Sequence, residues 1–310
     1  MKVIKPVVVT SAMLTTNIVT TVEPWVAGTY KKGDKRLANN HVFESLVDAN
    51  TANPLKDDAT PKWLDTGAEN KMAMFDKGAA QVFGTVGSQR KVFLIGTRTV
   101  NSGTIDVTIK PGQVVNSVAL FGLTGYRVTV TMTAPDDGEV YRQVISLVDA
   151  RASGMWEWLF KRIGRKKTFA LTDLPAYGDA SIRIVIEADA SVEATCAMAC
   201  VGTLTPLGET VFGGTGFGLT DFSVKSVDPF GVEALLERGF RRRVIYDVRI
   251  HDEDLEFALD FLEDLRATGA VYIGHESRPA TIIFGRYRDL QVTLPNPALH
   301  ECALDVGGLL

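Results

Sequence analysis

The sequence has little of what most catalytic chemistry needs. Its 310 residues include only four histidines, His41, His251, His275 and His300. No two of them stand at i, i+4, and none lies in a Cys-x-x-Cys context, so zinc-ligand spacing is missing. There are three cysteines, Cys196, Cys200 and Cys302. On one extended strand Cys196 and Cys200 would lie about 13 Å apart, beyond the roughly 7 Å that a disulfide spans. Buried thiols and a reducing compartment are therefore expected. No long apolar run is present. The run at the start of the chain is broken by Pro6 and is too short for a signal h-region or a membrane span. The net charge of −4 supplies no basic field for nucleic acid.

The motifs that bring chemistry with them are missing too. Gly213–Gly218 has neither G-x-G-x-x-G spacing nor a G-K-[ST] ending, and no helix pattern follows it. Ser277, after Gly274-His275-Glu276, lacks the flanking glycine pair and the strand–turn–helix context of a nucleophile elbow. Asp57-Asp58, Asp136-Asp137 and Asp252-Glu253-Asp254 lack the alternating oxygen ligands of a calcium loop and read as turn and cap chemistry. No catalytic residue, metal site or cofactor is assigned, and the chain is expected not to be an enzyme.

What is present is β pattern. Alternation runs through Tyr126–Thr133 and again through Val140–Leu147. Between them Pro135 presets φ and Gly138 supplies a positive φ, which makes a hairpin. The pattern points Val130 and Val144 inward and turns a Thr-, Arg- and Gln-rich face outward. Further strands are expected over Val92–Ile95, Gly103–Ile109, Val115–Phe121, Thr168–Leu171, Ser181–Ala188 and Thr195–Leu204. Their spacing suits a sandwich or jelly roll. One helix is expected, starting at Asp252 and ending before Gly269. It has Leu255, Ala258, Leu259, Leu262 and Leu265 at helical spacing, acids at its start, Arg266 at its end and Gly269 at C′. Strands are expected after it at Ala270–Ile273, Ala280–Phe284, Leu290–Leu294 and Glu301–Val306.

The fold class is therefore mainly β, in modules. Residues 1–24 read as an extended N-terminal arm, and 25–76 as a small aromatic β module. Residues 77–212 read as a central antiparallel β-sandwich, jelly-roll-like, and 213–240 as a Gly- and Arg-containing linker. Residues 241–310 read as an α+β assembly domain with one helix.

Two kinds of surface residue stand out. Trp25, Tyr30, Asn40, Phe43 and Trp63 make the aromatic module. They either form a mini-core, since so small a unit has few other apolar groups to bury, or stack on sugar rings with Asn40 bonding hydroxyls. Trp156 and Trp158 would share a face of an extended loop and form an interface patch. Arg241, Arg242 and Arg243, with Arg165-Lys166-Lys167, are the dense basic clusters, suited to a solvated face or to salt bridges with an acidic neighbour.

Residues 25–63, with Trp25, Tyr30-Lys31-Lys32-Gly33-Asp34, Phe43 and Trp63, resemble the small carbohydrate-binding modules attached to chitinases. Phe43 stands where tyrosine is usual, and the glycine before that strand is missing. The longer order is similar to virion proteins of tailed bacteriophages from tail, baseplate and fibre-attachment genes. It runs from Met72–Lys77 through Val118–Leu123 and Leu171–Gly178 to Leu294–Leu309. The resemblance implies a structural tail component that acts by protein–protein assembly. It would be built in the host bacterial cytoplasm and carried in the virion, with other tail proteins and copies of itself as partners. It implies neither nucleic-acid binding nor membrane insertion. A receptor-binding protein gripping host surface glycan is the alternative, and a polysaccharide-degrading tail enzyme a remote one.

Overall fold

In a computed structural model, the structure describes residues 1–56, 60–82, 89–93, 96–149, 154–160, 164–189, 191–227, 229–266, 268–295 and 298–309. The chain is mainly β, 52% strand and 8% helical, as the alternation implies. It divides into two units. One comprises Met1–Val7, Phe169–Thr172 and Cys200–Leu310; the other comprises Val8–Thr168 and Asp173–Ala199.

The second unit holds a five-stranded antiparallel sheet in the order Gly138–Ser146, Arg127–Ala134, Ser181–Glu187, Thr104–Ile109, Leu14–Thr16. Its three inner strands alternate as the pleat requires. Ile105, Val107, Ile109, Val128, Val130, Met132, Ile182, Ile184 and Ile186 are all buried. The opposite face is polar and tied by cross-strand ion pairs. Arg183 Nε donates to Asp106 at 2.9 Å, and Arg127 Nε to Glu187 at 2.7 Å. Gly138 takes φ 73° at the hairpin turn, as expected.

The hairpin's outer strand departs from expectation. A register shift at Met132/Thr133 places Val144 opposite Thr129. Val144 is 51% exposed, whereas Val130 is fully buried. The alternation of Val140–Leu147 therefore does not mark an inward face. That strand is the edge of the sheet and stays mostly exposed. The expected strand Thr195–Leu204 is two, Glu193–Cys196 and Met198–Pro206. Cys196, Cys200 and Cys302 are free and buried. Burial pushes the Cys196 and Cys200 thiols up to about 12.

The stretch 1–24 is not a free arm. Lys2–Pro6 lies between Met198–Pro206 and Ala270–Ile273, paired to both, with Val3 and Ile4 wholly buried. Leu14–Thr16 pairs with Thr104–Ile109. A β-branched run with one central pair of apolar residues is as good a core strand as an arm, and tertiary pairing decides.

The first unit's sheet continues from Ala270–Ile273 through Ile282–Thr293 and Leu299–Gly308 to Phe240–His251. One face packs on the helix Asp252–Asp264 through Tyr246, Val248, Ile250, Ala258, Leu262 and Leu304. Three acids fill the helix's first turn, where the dipole favours them. His300 Nε2 lies 2.7 Å from Asp252. The helix ends at Asp264, short of Gly269. That glycine is needed for another reason, because a Cβ there would come within 2.9 Å of the Phe284 ring.

Residues 213–240 form strands rather than a linker. Gly216–Asp221 pairs antiparallel with Phe240–Ile245, and Val224–Val227 with Glu233–Leu236. Together they make a β-hairpin arm. Of the glycines that suggest a hinge, Gly213, Gly216 and Gly218 have open space where a Cβ would stand, whereas a Cβ on Gly214 would collide with the Asp247 side chain.

Candidate functional site

The aromatic module is a three-stranded antiparallel sheet of Lys35–Ala38, His41–Ser45 and Trp63–Ala68. Its first hairpin turns on Asn39 and Asn40, with φ 49° and 64°. A two-residue turn with both φ positive needs glycine or asparagine. Asn40 thus sets the turn where a glycine is missing, and its carbonyl accepts from Glu69 N–H at 2.8 Å.

Tyr30, Phe43 and Trp63 are buried together, with Trp25 packed against them. Tyr30 and Trp63 meet edge to face, with centroids 5.4 Å apart. Trp63 Nε1 donates to Ala52 O at 2.8 Å and Tyr30 OH to Val26 O at 2.5 Å. Arg36 lies over the Tyr30 ring at 4.9 Å. The flat faces that a sugar would stack on are occupied by neighbouring protein atoms at Tyr30, Phe43 and Trp63. Trp25 alone of the four rings remains half-buried, and its indole N–H has no hydrogen-bond partner among the described residues.

Beside Phe43 lies a pocket of about 360 Å³, lined by Asn39, His41, Phe43, Leu55, Asp65 and Asp76 among others. His41 stands between two carboxylates. Its Nδ1 is 3.0 Å from Asp65 and its Nε2 3.1 Å from Asp76. Both ring nitrogens face acceptors, so both carry a proton. The hydrogen bonds to Asp65 and then Asp76 hold the imidazole up at about 9, and His41 in turn holds Asp76 down. An imidazolium held this way has no lone pair to offer a substrate at neutral pH. Sequence spacing hid this cluster, since its members are 24 and 35 residues from His41. Among the described residues no group of three or more His, Cys, Asp or Glu is placed to hold a metal ion.

The expected interface residues fall in two places. Met155–Phe160 is a short helix, not an extended loop. The extended backbone on which Trp156 and Trp158 would share a face is therefore not formed. The Trp158 side chain lies outside the described residues. Trp156 is 74% exposed and packs one turn on against Phe160, with centroids 4.3 Å apart and ring planes tilted by 42°. Aromatic spacing of i, i+4 was the available signal.

Arg241, Arg242 and Arg243 sit at the root of the hairpin arm and do three different things. Arg243 makes a bidentate pair with Asp305, at 2.7 and 2.8 Å. Arg241 is half-buried with its guanidinium 5.8 Å from the Phe222 ring. Arg242 is exposed and has no ion pair among the described residues. The arm itself is the largest exposed apolar feature described. Twelve exposed large apolar side chains fall between Phe212 and Ile245, with Phe217 at 73% and Phe230 at 91%. At roughly 100 Å² each they present about 1,200 Å² over both faces, or about 600 Å² per face. A typical monomer's largest patch is about 300–600 Å². Alternation could not reveal this, because the arm's strands lack a consistently buried face.

Among the described residues no helix is long and apolar enough to cross a membrane. Compared with known proteins, the chain matches no family, no curated protein and no solved structure.

Proposed function

We propose that this chain is a structural, non-enzymatic component of a tailed-bacteriophage tail, at the distal tail, baseplate or fibre attachment. It acts by protein–protein assembly and is carried in the virion after assembly in the host cytoplasm. The order of sequence phrases suggests the class. The observation that carries the assembly role is the arm, a two-stranded hairpin that leaves Phe217, Leu219, Phe222, Phe230, Leu235, Leu236 and Phe240 exposed. An arm so apolar is soluble at working concentration only if something covers it. The test is complementation of a particle lacking the gene with a Phe217→Ser, Leu219→Ser, Phe240→Ser variant. The variant should keep the wild-type circular dichroism and melting temperature but fail to enter particles. Normal incorporation of the folded variant defeats the reading.

A second reading, contact with host surface glycan, is favoured by the pocket beside Phe43. Asp76, half-exposed there, and Asn39 offer acceptors and donors to hydroxyls. Trp25→Ala and Asp76→Asn test it on a glycan array. If neither soluble variant changes binding to any glycan that the wild type binds, the pocket is not the contact.

A further inference from the structure

Resting on the assembly reading, we infer that the arm's partner is the helix Asp252–Asp264 of a second copy of this chain, joined head to tail. One face of the Phe240–His251 strand carries Phe240, Arg242, Val244, Tyr246, Val248 and Ile250, apolar at every position but Arg242. At its far end Tyr246, Val248 and Ile250 are covered by the chain's own helix. At its near end the same face holds Phe240, opposite Asp221, and on the facing strand Leu219, opposite Arg242, and Phe217, opposite Val244; Phe240, Phe217 and Leu219 are 57%, 73% and 68% exposed. The cover stops while the apolar face goes on.

The helix has what this end lacks. Its outer side carries Phe257, 57% exposed and stacked on Phe261 with centroids 6.3 Å apart. Seven carboxylates and no basic residue make up the rest of its charge. Two of the seven are engaged, Asp252 with His300 and Asp264 with Lys5. Glu253, Glu256 and Asp260, which flank Phe257 at i−4, i−1 and i+3, have no ion pair among the described residues. On the arm, Arg242 lies on the same face as Phe217 and Leu219 and is likewise unengaged. Asp221 on that face is taken up locally by Ser223, through its N–H at 2.9 Å and its Oγ at 2.7 Å. An apolar patch edged by a free arginine thus meets an apolar ring edged by free carboxylates. Arm and helix are different surfaces of one chain, so the contact is heterologous and closes as a ring or extends as a filament.

Sedimentation of the purified full chain tests this. The wild type should self-associate in a concentration-dependent way. Arg242→Glu should weaken association at least tenfold, as should Glu256→Arg with Asp260→Arg. Mixing the two charge-reversed proteins should restore a complex, because each then supplies what the other lacks. Replacing 216–242 by a short glycine turn, which removes Phe217, Leu219, Phe240 and Arg242 together, should give a folded monomer and guards against misfolding of the point variants. A wild type that stays monomeric at all accessible concentrations overturns the inference, as does an arm-trimmed chain that still associates. If the chain is monomeric alone yet needs its arm to enter particles, this inference fails while the assembly reading stands.

Discussion

Replacing His41 by glutamine should remove a pH-dependent part of the stability, and its size follows from the geometry. The imidazole rises from 6.5 to about 9 because Asp65 and Asp76 accept from its two nitrogens at 3.0 and 3.1 Å. At about 1.4 kcal/mol per unit the shift corresponds to about 3 kcal/mol. Asp76 is 45% exposed, so solvent screens its half of the pair, and about 2 kcal/mol is the working figure. A base whose folded pKa is raised contributes fully below its unfolded pKa. The contribution is therefore whole below about pH 6.5 and is lost as pH rises through about 9. At the acid end Asp76, held low by His41, loses the same contact as pH falls through its folded value.

Two other groups oppose this trend. Lys77 is lowered to about 8 and the Met1 amino group to about 6, both chiefly by burial. Each destabilises when charged, so stability recovers from Met1 between about pH 6 and 8 and from Lys77 between about 8 and 10.5. The wild-type profile alone is thus a sum of opposed contributions and does not isolate the imidazole. The difference between wild type and His41→Gln isolates the imidazole. In urea titrations followed by tryptophan fluorescence at constant m, that difference should shrink by about 2 kcal/mol between pH 6.5 and 9.5. A difference that does not vary with pH would refute the claim that the native imidazole is held as a cation.

Other substitutions discriminate core from edge. Val130→Asp buries an unpaired charge and should unfold the five-stranded sheet's unit, a loss of more than about 4 kcal/mol, while Val144→Asp should cost under about 0.5 kcal/mol by chemical denaturation. Trp63→Ala should cost about 3–5 kcal/mol, since it empties a mini-core of few members. Trp156→Ala should leave the melting temperature unchanged, because its ring is 74% exposed. Gly202→Ala should abolish soluble expression at 37 °C, because the added Cβ would stand 2.1 Å from the Lys5 carbonyl oxygen.

The parts legible in the sequence are those where local pattern and burial agree. Arg127–Ala134, Ser181–Glu187 and Thr104–Ile109 alternate because one face of each is buried. The helix shows its period because it packs Ala258, Leu262 and Leu265 against one sheet. Edge strands break this agreement: Gly138–Ser146 alternates without burying a face, so Val144 reads as inward and lies outward. The arm is the opposite case, since its Gly-rich strands look like a hinge while backbone pairing makes them a hairpin. The His41 cluster assembles across three segments, and no local window contains it. Asn40 was legible as notable for the wrong chemistry; its positive φ, not its amide, explains it.

The central proposal is that this chain is a built-in part of a phage tail and docks by its arm. Quantitative mass spectrometry of phage particles purified from a strain whose genome encodes the chain tests that most directly. The account predicts the chain at a fixed copy number per particle, with cross-links to neighbouring chains concentrated at residues 212–245. Particles that are complete and infectious without the chain would contradict it.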